Sequence, residues 1–347
     1  MEPNISYLAA FVAGISIHAL YLRRGEHHLQ GFFYFKLFLA SVVTVAALLP
    51  SAVYPPTSSF SVSNWELLEW KREFAWKTSF TIHLVFLSGI FISLFTYRVF
   101  FHPLRTFPGP LDLKLSALAL SFRVFRRQDA HKVVLRLHAQ HGDFVRIGPS
   151  AISSIHAETP SVIHNAATHG FSKGEFYDLM KPFKPLQMIR DKTEHNARRR
   201  VWSAAFGERA LRGYEQRIKV YQDKMMGVFT TAAERQEKID VTQVFHAYSF
   251  DVIGDLALGM KFGLLDSESK GHWAVDLLGE AVEVVAYMPP VWLFRFFFDI
   301  PGLNARWNKW LGFCRETLVE RMKVRTYLPY LTCHGTLSDD GDADLDF

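Results

Sequence analysis

Residues 141–155, HGDFVRIGPSAISSI, decide the class of fold. Gly142-Asp143 is a turn pair, Phe144–Gly148 alternates as a strand, and Ala151–Ile155 reads as a second short strand. Upstream, Ala130–His141 is helical, with Val133, Val134, Leu137 and His138 on one stripe. Downstream, Thr159-Pro160 opens another helix as an N-cap with proline at its first position. Phe171–Lys192 has no clean period and reads as a long, partly ordered loop. From Glu194 the pattern is helical almost to Val324, with breaks at Gly207, Gly263, Met288-Pro289-Pro290 and Pro301-Gly302. No repeat of fixed period interrupts this order. The fold class is therefore mainly α with a small β-sheet placed early.

The chain as a whole narrows the function. Its 347 residues carry 39 Lys+Arg against 34 Asp+Glu, a net charge of +5 that is mild for the length and does not point to nucleic acid. The hydrophobic share of 49% is ordinary, but its apolar residues are concentrated at the front. Two cysteines, Cys314 and Cys333, supply neither a disulfide framework nor a zinc cluster. They read as free thiols of a cytosol-facing domain.

A helix needs roughly 18–20 apolar residues to cross a bilayer core. Ile5–Leu22, Leu37–Tyr54 and Ser79–Tyr97 are runs of that kind, so three transmembrane helices are expected within residues 1–100. A cleaved signal peptide competes for the first run and buried core helices for the others. Met1–Ser6 has no basic side chain, and Arg23-Arg24 follow the run, which is the reverse of a signal peptide. Basic flanks at Arg23, Arg24, Arg98 and Arg105 place the chain beyond about residue 100 in the cytosol and the N-terminus in the lumen. The connector Pro55–Thr78 balances Lys71, Arg72 and Lys77 against Glu66, Glu69 and Glu73, as a lumenal loop does. Residues 101–110, FHPLRTFPGP, then form a stiff linker through Pro103, Pro108 and Pro110, although a plain helix stop explains the decapeptide equally well.

The densest polar feature is Glu194–Trp202, EHNARRRVW. His195 and Arg199 stand four apart and share a helix face, a donor pair suited to two carboxylates or a phosphate. A solvated basic face is the competing explanation of the same residues.

Five blocks in series carry a resemblance: PGP at 108–110, HGDFVRIGPSAIS at 141–153, FSKGEFYD at 171–178, EHNARRRVWSAAF at 194–206 and YSFDVIGDLALGMKFGLLD at 248–266. In order and spacing they resemble the fungal membrane-bound cytochrome P450 family of haem-thiolate monooxygenases over about residues 100–325. The leader ending in RRGEHH (23–28) resembles that of fungal secondary-metabolism enzymes that hydroxylate prenylated indole alkaloids. The resemblance implies an anchor at 1–100, a proline hinge at 101–110 and the N-terminal part of a cytochrome P450 domain at 111–325. It gives His195 and Arg199 to the haem propionates, and Phe176, Tyr177 and Phe183 to a variable loop over the substrate. It makes the Phe-rich Val291–Ile300 the region that touches the membrane and the access channel, with a core helix as equal competitor. It also implies haem as cofactor, membrane lipid and NADPH–cytochrome P450 reductase as partners, an apolar small molecule as substrate and multi-pass residence in the endoplasmic reticulum membrane. The family activity is NADPH- and O2-dependent hydroxylation.

The departures from that pattern are equally specific. The family ligates iron through a cysteine in a Phe-x-x-Gly-x-x-x-Cys-x-Gly loop. Cys333 follows Tyr330-Leu331-Thr332 and precedes His334-Gly335, and Cys314 lies inside the helical pattern Trp307–Lys323, so neither matches. The acid-Thr pair and the Glu-x-x-Arg of the family have no counterpart. Residues 326–347 form an aberrant acidic tail containing Asp339, Asp340, Asp342 and Asp344, such as a shifted frame, a retained intron or an early stop produces. An incomplete cytochrome P450 fold is expected, with exposed apolar helix faces, no catalytic or metal-ligating residue of its own and no monooxygenase activity. A non-enzymatic membrane-anchored binding or scaffold protein is the alternative. A small transporter is disfavoured because no charged residue lies within the spans.

Overall fold

The computed structural model describes residues 3–53, 65–164, 170–266 and 272–323. In chain order the elements are α1 (Pro3–Ile17), α2 (Gly31–Val53), α3 (Trp65–Thr96), α4 (Leu111–Leu115), α5 (Leu118–Val124) and α6 (Ala130–His141). The strands β1 (Phe144–Gly148) and β2 (Ala151–Ser154) follow. After them come α7 (Thr159–His164), α8 (Lys192–Ser203), α9 (Glu208–Glu234), α10 (Val241–Ile253), α11 (Trp273–Ala286), α12 (Val291–Phe298) and α13 (Ala305–Lys323). The chain divides into two compact units, Met1–Phe171 with Ala286–Ile300, and Ser172–Val285 with Pro301–Phe347.

In the first unit, Gly31–Leu49 and Arg72–Phe101 are helical stretches long and apolar enough to cross a membrane. Only 6% of each is buried inside the protein, unlike a core helix wrapped on all sides. Against the three spans expected, only these two candidate helices are found among the described residues. The apolar helix Ser6–Leu22 is shorter than either of these stretches. It runs along α3. A Cβ built on Gly14 would lie 2.1 Å from the Phe86 carbonyl oxygen, and one built on Gly89 would lie 2.3 Å from that of Phe11, so two glycines let the backbones touch. The α2–α3 contact is polar as well as apolar. Ser79 Oγ donates to the Val42 oxygen at 2.8 Å, and Ser41 Oγ pairs with His83 Nε2 at 3.0 Å.

The expected connector Pro55–Thr78 also differs, because α3 begins at Trp65 and carries the Glu73–Lys77 ion pair on its flank at 2.6 Å. Residues 54–64 lie outside the described ones, as do 324–347 with Cys333 and the acidic tail.

The small core of this unit gathers Leu113, Leu120, Val124, Val133, Leu137 and Val145 from α4, α5, α6 and β1. Helix α6 has the bounds its apolar stripe predicts, and Gly142, at φ 89°, ends it in a conformation that suits glycine. The strands pair antiparallel, Phe144 opposite Ser154 and Val145 opposite Ser153, with a bulge between Arg146 and Gly148. Strand β2 stops one residue short of Ile155. Buried His138 bonds through Nδ1 to the Gly142 oxygen and through Nε2 to Ser153 Oγ, each at 2.8 Å, and so ties α6 to the hairpin. The Phe-rich stretch forms α12, which rests on the start of α2: Phe296 meets Phe32 and Phe35 edge-on, with ring centres 5.9 and 5.4 Å away.

The second unit is helical. Asp240 caps α10, accepting from the amides of Thr242 and Gln243, after a break at 235–240 that the hydrophobic pattern does not signal. Buried Asp251 accepts the amides of Leu264 and Leu265, both at 3.0 Å, and Arg217 from α9 forks onto the Asp255 carboxylate.

Candidate functional site

Helix α8 starts at Asp191, whose side chain accepts the Glu194 amide at 2.7 Å. The helix places His195 and Arg199 one turn apart on the same side, as their spacing requires. The charges around them are distributed unevenly. Glu194 holds Lys184 at 3.3 Å and Arg198 at 3.0 Å, and Arg198 also donates to the Lys184 oxygen. Arg199 and Arg200 have no ion pair or side-chain hydrogen bond among the described residues, and they line an open cleft with Asn196 and Ser203. His195 is half-buried, and its one side-chain bond is a long contact at 3.4 Å to Asn196. The same helix and the turn after it expose Val201, Trp202 and Phe206. One carboxylate neutralises two cations, and two further cations stay available for an anion beside apolar surface.

The loop before α8 is ordered by a buried acid that sequence reasoning did not single out. Asp178 accepts from Arg190 Nη1 at 2.5 Å and pairs with Lys181 at 3.0 Å. Burial pushes its carboxyl up, but the hydrogen bonds from Lys181 and Arg190 outweigh burial and hold it below its ordinary value. Arg190 also donates to the Lys173 oxygen, and Lys173 reaches the Gln187 oxygen and lies over the Tyr177 ring. Phe176 and Tyr177 share the 3-10 turn Glu175–Asp178, their rings 5.8 Å apart. Phe183 is half-buried and makes no ring contact among the described residues, so the three aromatic residues do not form one cluster.

These residues can be tested against a haem. The free cations of α8 suit propionates, which are carboxylates needing charge-assisted donors. An iron ligand is a different matter. Cys314 is half-buried within α13, and burial pushes its thiol up, away from the thiolate that binds metal. The described residues therefore fit the rim of the group and offer its iron no thiolate.

The linker 101–110 packs against a buried arginine. Arg146 is fully buried, and its guanidinium donates to the main-chain oxygens of Arg98 at 3.0 Å, Pro149 at 2.6 Å and Gly148 at 3.3 Å. Its amide donates to the Pro108 oxygen at 2.8 Å, and the bent Gly109 (φ 151°) lies against its carbonyl. Burial lowers the guanidinium from its ordinary value, though arginine keeps its charge in proteins. Arg98 in turn donates to the Leu115 oxygen. The proline linker is thus pinned between the end of the long apolar helix and the hairpin. An arginine inside an apolar strand was the available signal.

The chain is 40% identical over 324 residues to tryprostatin B 6-hydroxylase of Neosartorya fischeri, which covers 93% of this chain and 57% of that protein. It is 39% identical over 333 residues to the tryprostatin B 6-hydroxylase of Aspergillus fumigatus (95% and 57%), and 36% identical over 326 residues to the cytochrome P450 monooxygenase notG' of Aspergillus versicolor (94% and 56%). The chain spans about 57% of the length of these curated relatives. No solved structure matches it. The profile described as Cytochrome P450 matches residues 108–325, and the chain belongs to the cytochrome P450 family.

Proposed function

We propose that this chain provides the membrane anchor, the hinge and the propionate-binding helix of a fungal secondary-metabolism monooxygenase that hydroxylates an apolar small molecule. The similarity to two tryprostatin B 6-hydroxylases supports the reaction class. In this reading α2 and α3 cross the endoplasmic reticulum membrane. Arg23 and Arg24 before the first crossing, and Arg98 and Arg105 at the end of the second, then lie together on the cytosolic face. NADPH–cytochrome P450 reductase delivers electrons from that side. Phe176, Tyr177 and Phe183 border the substrate.

The unpaired cations of α8 carry this proposal. Arg199, with His195 on the same face, holds the propionates of the haem, while Glu194 keeps Arg198 and Lys184 out of competition for them. When bound, haem supplies an oxygen-activating iron whose reactivity depends on a thiolate ligand. Cys314 is not set to provide one, and Cys333 lacks the surrounding loop pattern. These 347 residues alone accordingly bind haem weakly and do not hydroxylate.

The test is haem titration of the full chain in lipid nanodiscs, followed by the spectrum of the reduced carbonyl adduct. Weak binding that depends on Arg199, without a thiolate signature, is the expected result. A thiolate signature overturns the inactive reading, and binding indifferent to Arg199→Ala overturns the propionate assignment.

A further inference from the structure

Helices α1 and α3 run parallel, and each ends in a π-helical turn, His18–Leu22 and Tyr97–Phe101. Such turns are uncommon and recur at functional sites, because they widen the helix and free its side chains from the regular spacing. Here the two lie side by side. A crevice between them is lined by Ile15, Ile92 and Phe101 on its apolar part and by His18, Arg23, Thr96 and Tyr97 on its polar part.

The polar groups are unevenly satisfied. His18 is buried, and its Nδ1 bonds to Ser93 Oγ at 2.8 Å while Nε2 has no partner among the described residues. The Arg23 guanidinium lies over the Tyr97 ring, 5.3 Å from its centre, without a carboxylate or hydrogen-bond partner. The Thr96 and Tyr97 hydroxyls likewise make no hydrogen bond among the described residues. One permanent cation and three neutral donors thus converge beside an apolar slot, at the basic end of two apolar helices.

We infer that this crevice binds an anionic phospholipid, its phosphate on Arg23, Thr96, Tyr97 and His18 and an acyl chain along Ile15, Ile92 and Phe101. The arginine fork matches phosphate geometry, and basic pockets between membrane helices take such headgroups. The assignment rests on the anchor reading above, since the crevice lies at the ends of α1 and α3.

The test uses the full chain in phosphatidylcholine nanodiscs containing a minor share of phosphatidic acid, with retained lipid counted by native mass spectrometry. Carbonate extraction is run first and separates the two readings. A chain that washes off the membrane fails as an anchor and takes the lipid site with it. For an integrated chain, one phosphatidic acid retained per chain is expected. Arg23→Gln reduces that retention roughly tenfold, the effect of one charge-assisted contact, whereas Arg24→Gln leaves it unchanged. Thr96→Val gives a smaller loss. Equal losses in the two arginine variants indicate a diffuse surface charge and overturn the site. So does displacement of the lipid by millimolar inorganic phosphate, which assigns the crevice to a free ion.

Discussion

Arg146 Nη1 donates to the main-chain oxygen of Arg98 across 3.0 Å, joining the β-hairpin to the last turn of the long apolar helix. Arg98 returns the link by donating to the Leu115 oxygen. Two cations that would repel each other in isolation are separated by carbonyls, each guanidinium spending its donors on main-chain oxygens. The linker 101–110 is held by these bonds as well as by its prolines.

Replacing Arg146 with alanine leaves the Arg98, Gly148 and Pro149 oxygens without their donor in a buried setting. The expected cost is about 3 kcal/mol, from charge-assisted bonds lost and acceptors stranded. Limited proteolysis of the reconstituted chain should then cleave within 101–110 faster than in the parent. Arg146→Lys should recover only part of the protection, because one ammonium cannot reach three divergent oxygens.

The glycines offer an internal contrast. Gly14→Leu forces side-chain atoms into the Phe86 carbonyl and should separate α1 from α3 at about 1–3 kcal/mol. Loss of disulfide crosslinking between cysteines placed at His18 and Ser93, whose side chains meet at 2.8 Å, would report it. Gly213 and Gly227 in α9 have nothing within 4 Å of a built Cβ. Alanine at either should raise stability by roughly 0.5–1 kcal/mol, since it removes backbone freedom from the unfolded chain.

Asp178 makes the loop before α8 sensitive to acid. Its carboxyl is held below its ordinary value, so the stabilisation is fully present above the unfolded carboxylate value near about 3.9. It fades as pH falls through the lower folded value. Asp178→Asn should abolish that acid-dependent step and cost about 2 kcal/mol at neutral pH. Hydrogen-exchange protection of the amides at 173–190, compared at neutral pH and near pH 3, would show it; the same acid-induced loss of protection in the variant as in the parent would falsify the role.

Local periodicity made part of this architecture legible. Helix α6 and strand β1 have the bounds that Val133, Leu137 and the Phe144–Gly148 alternation imply, and His195 and Arg199 share a helix as their spacing demands. What stayed hidden depends on partners distant in the chain. Arg146 looks like any strand arginine until a carbonyl 48 residues earlier is brought to it. The start of α3 was obscured because its first turns carry balanced charge, although Glu73 and Lys77 at helical spacing are a readable sign of helix. Hydropathy alone likewise does not show that the apolar α1 packs against α3 through Gly14 and Gly89.

Adjacent arginines of α8 should separate stability from ligand binding. Arg198 is engaged by Glu194 and the Lys184 oxygen, so Arg198→Ala removes a partly exposed pair worth at most about 1 kcal/mol and frees Glu194 to repel an incoming carboxylate. Arg199 makes no ion pair or side-chain hydrogen bond among the described residues, and Arg199→Ala should leave the unfolding free energy within about 0.5 kcal/mol of the parent. Haem titration should rank them in the opposite order. Arg199→Ala loses roughly tenfold in affinity, equivalent to about 1.4 kcal/mol for one charge-assisted contact, and Arg198→Ala loses less. Thermal unfolding and haem titration of the same samples check both orders together. A helix face that were merely solvated would move neither measurement at Arg199, whereas a purely structural arginine would lower the unfolding midpoint first.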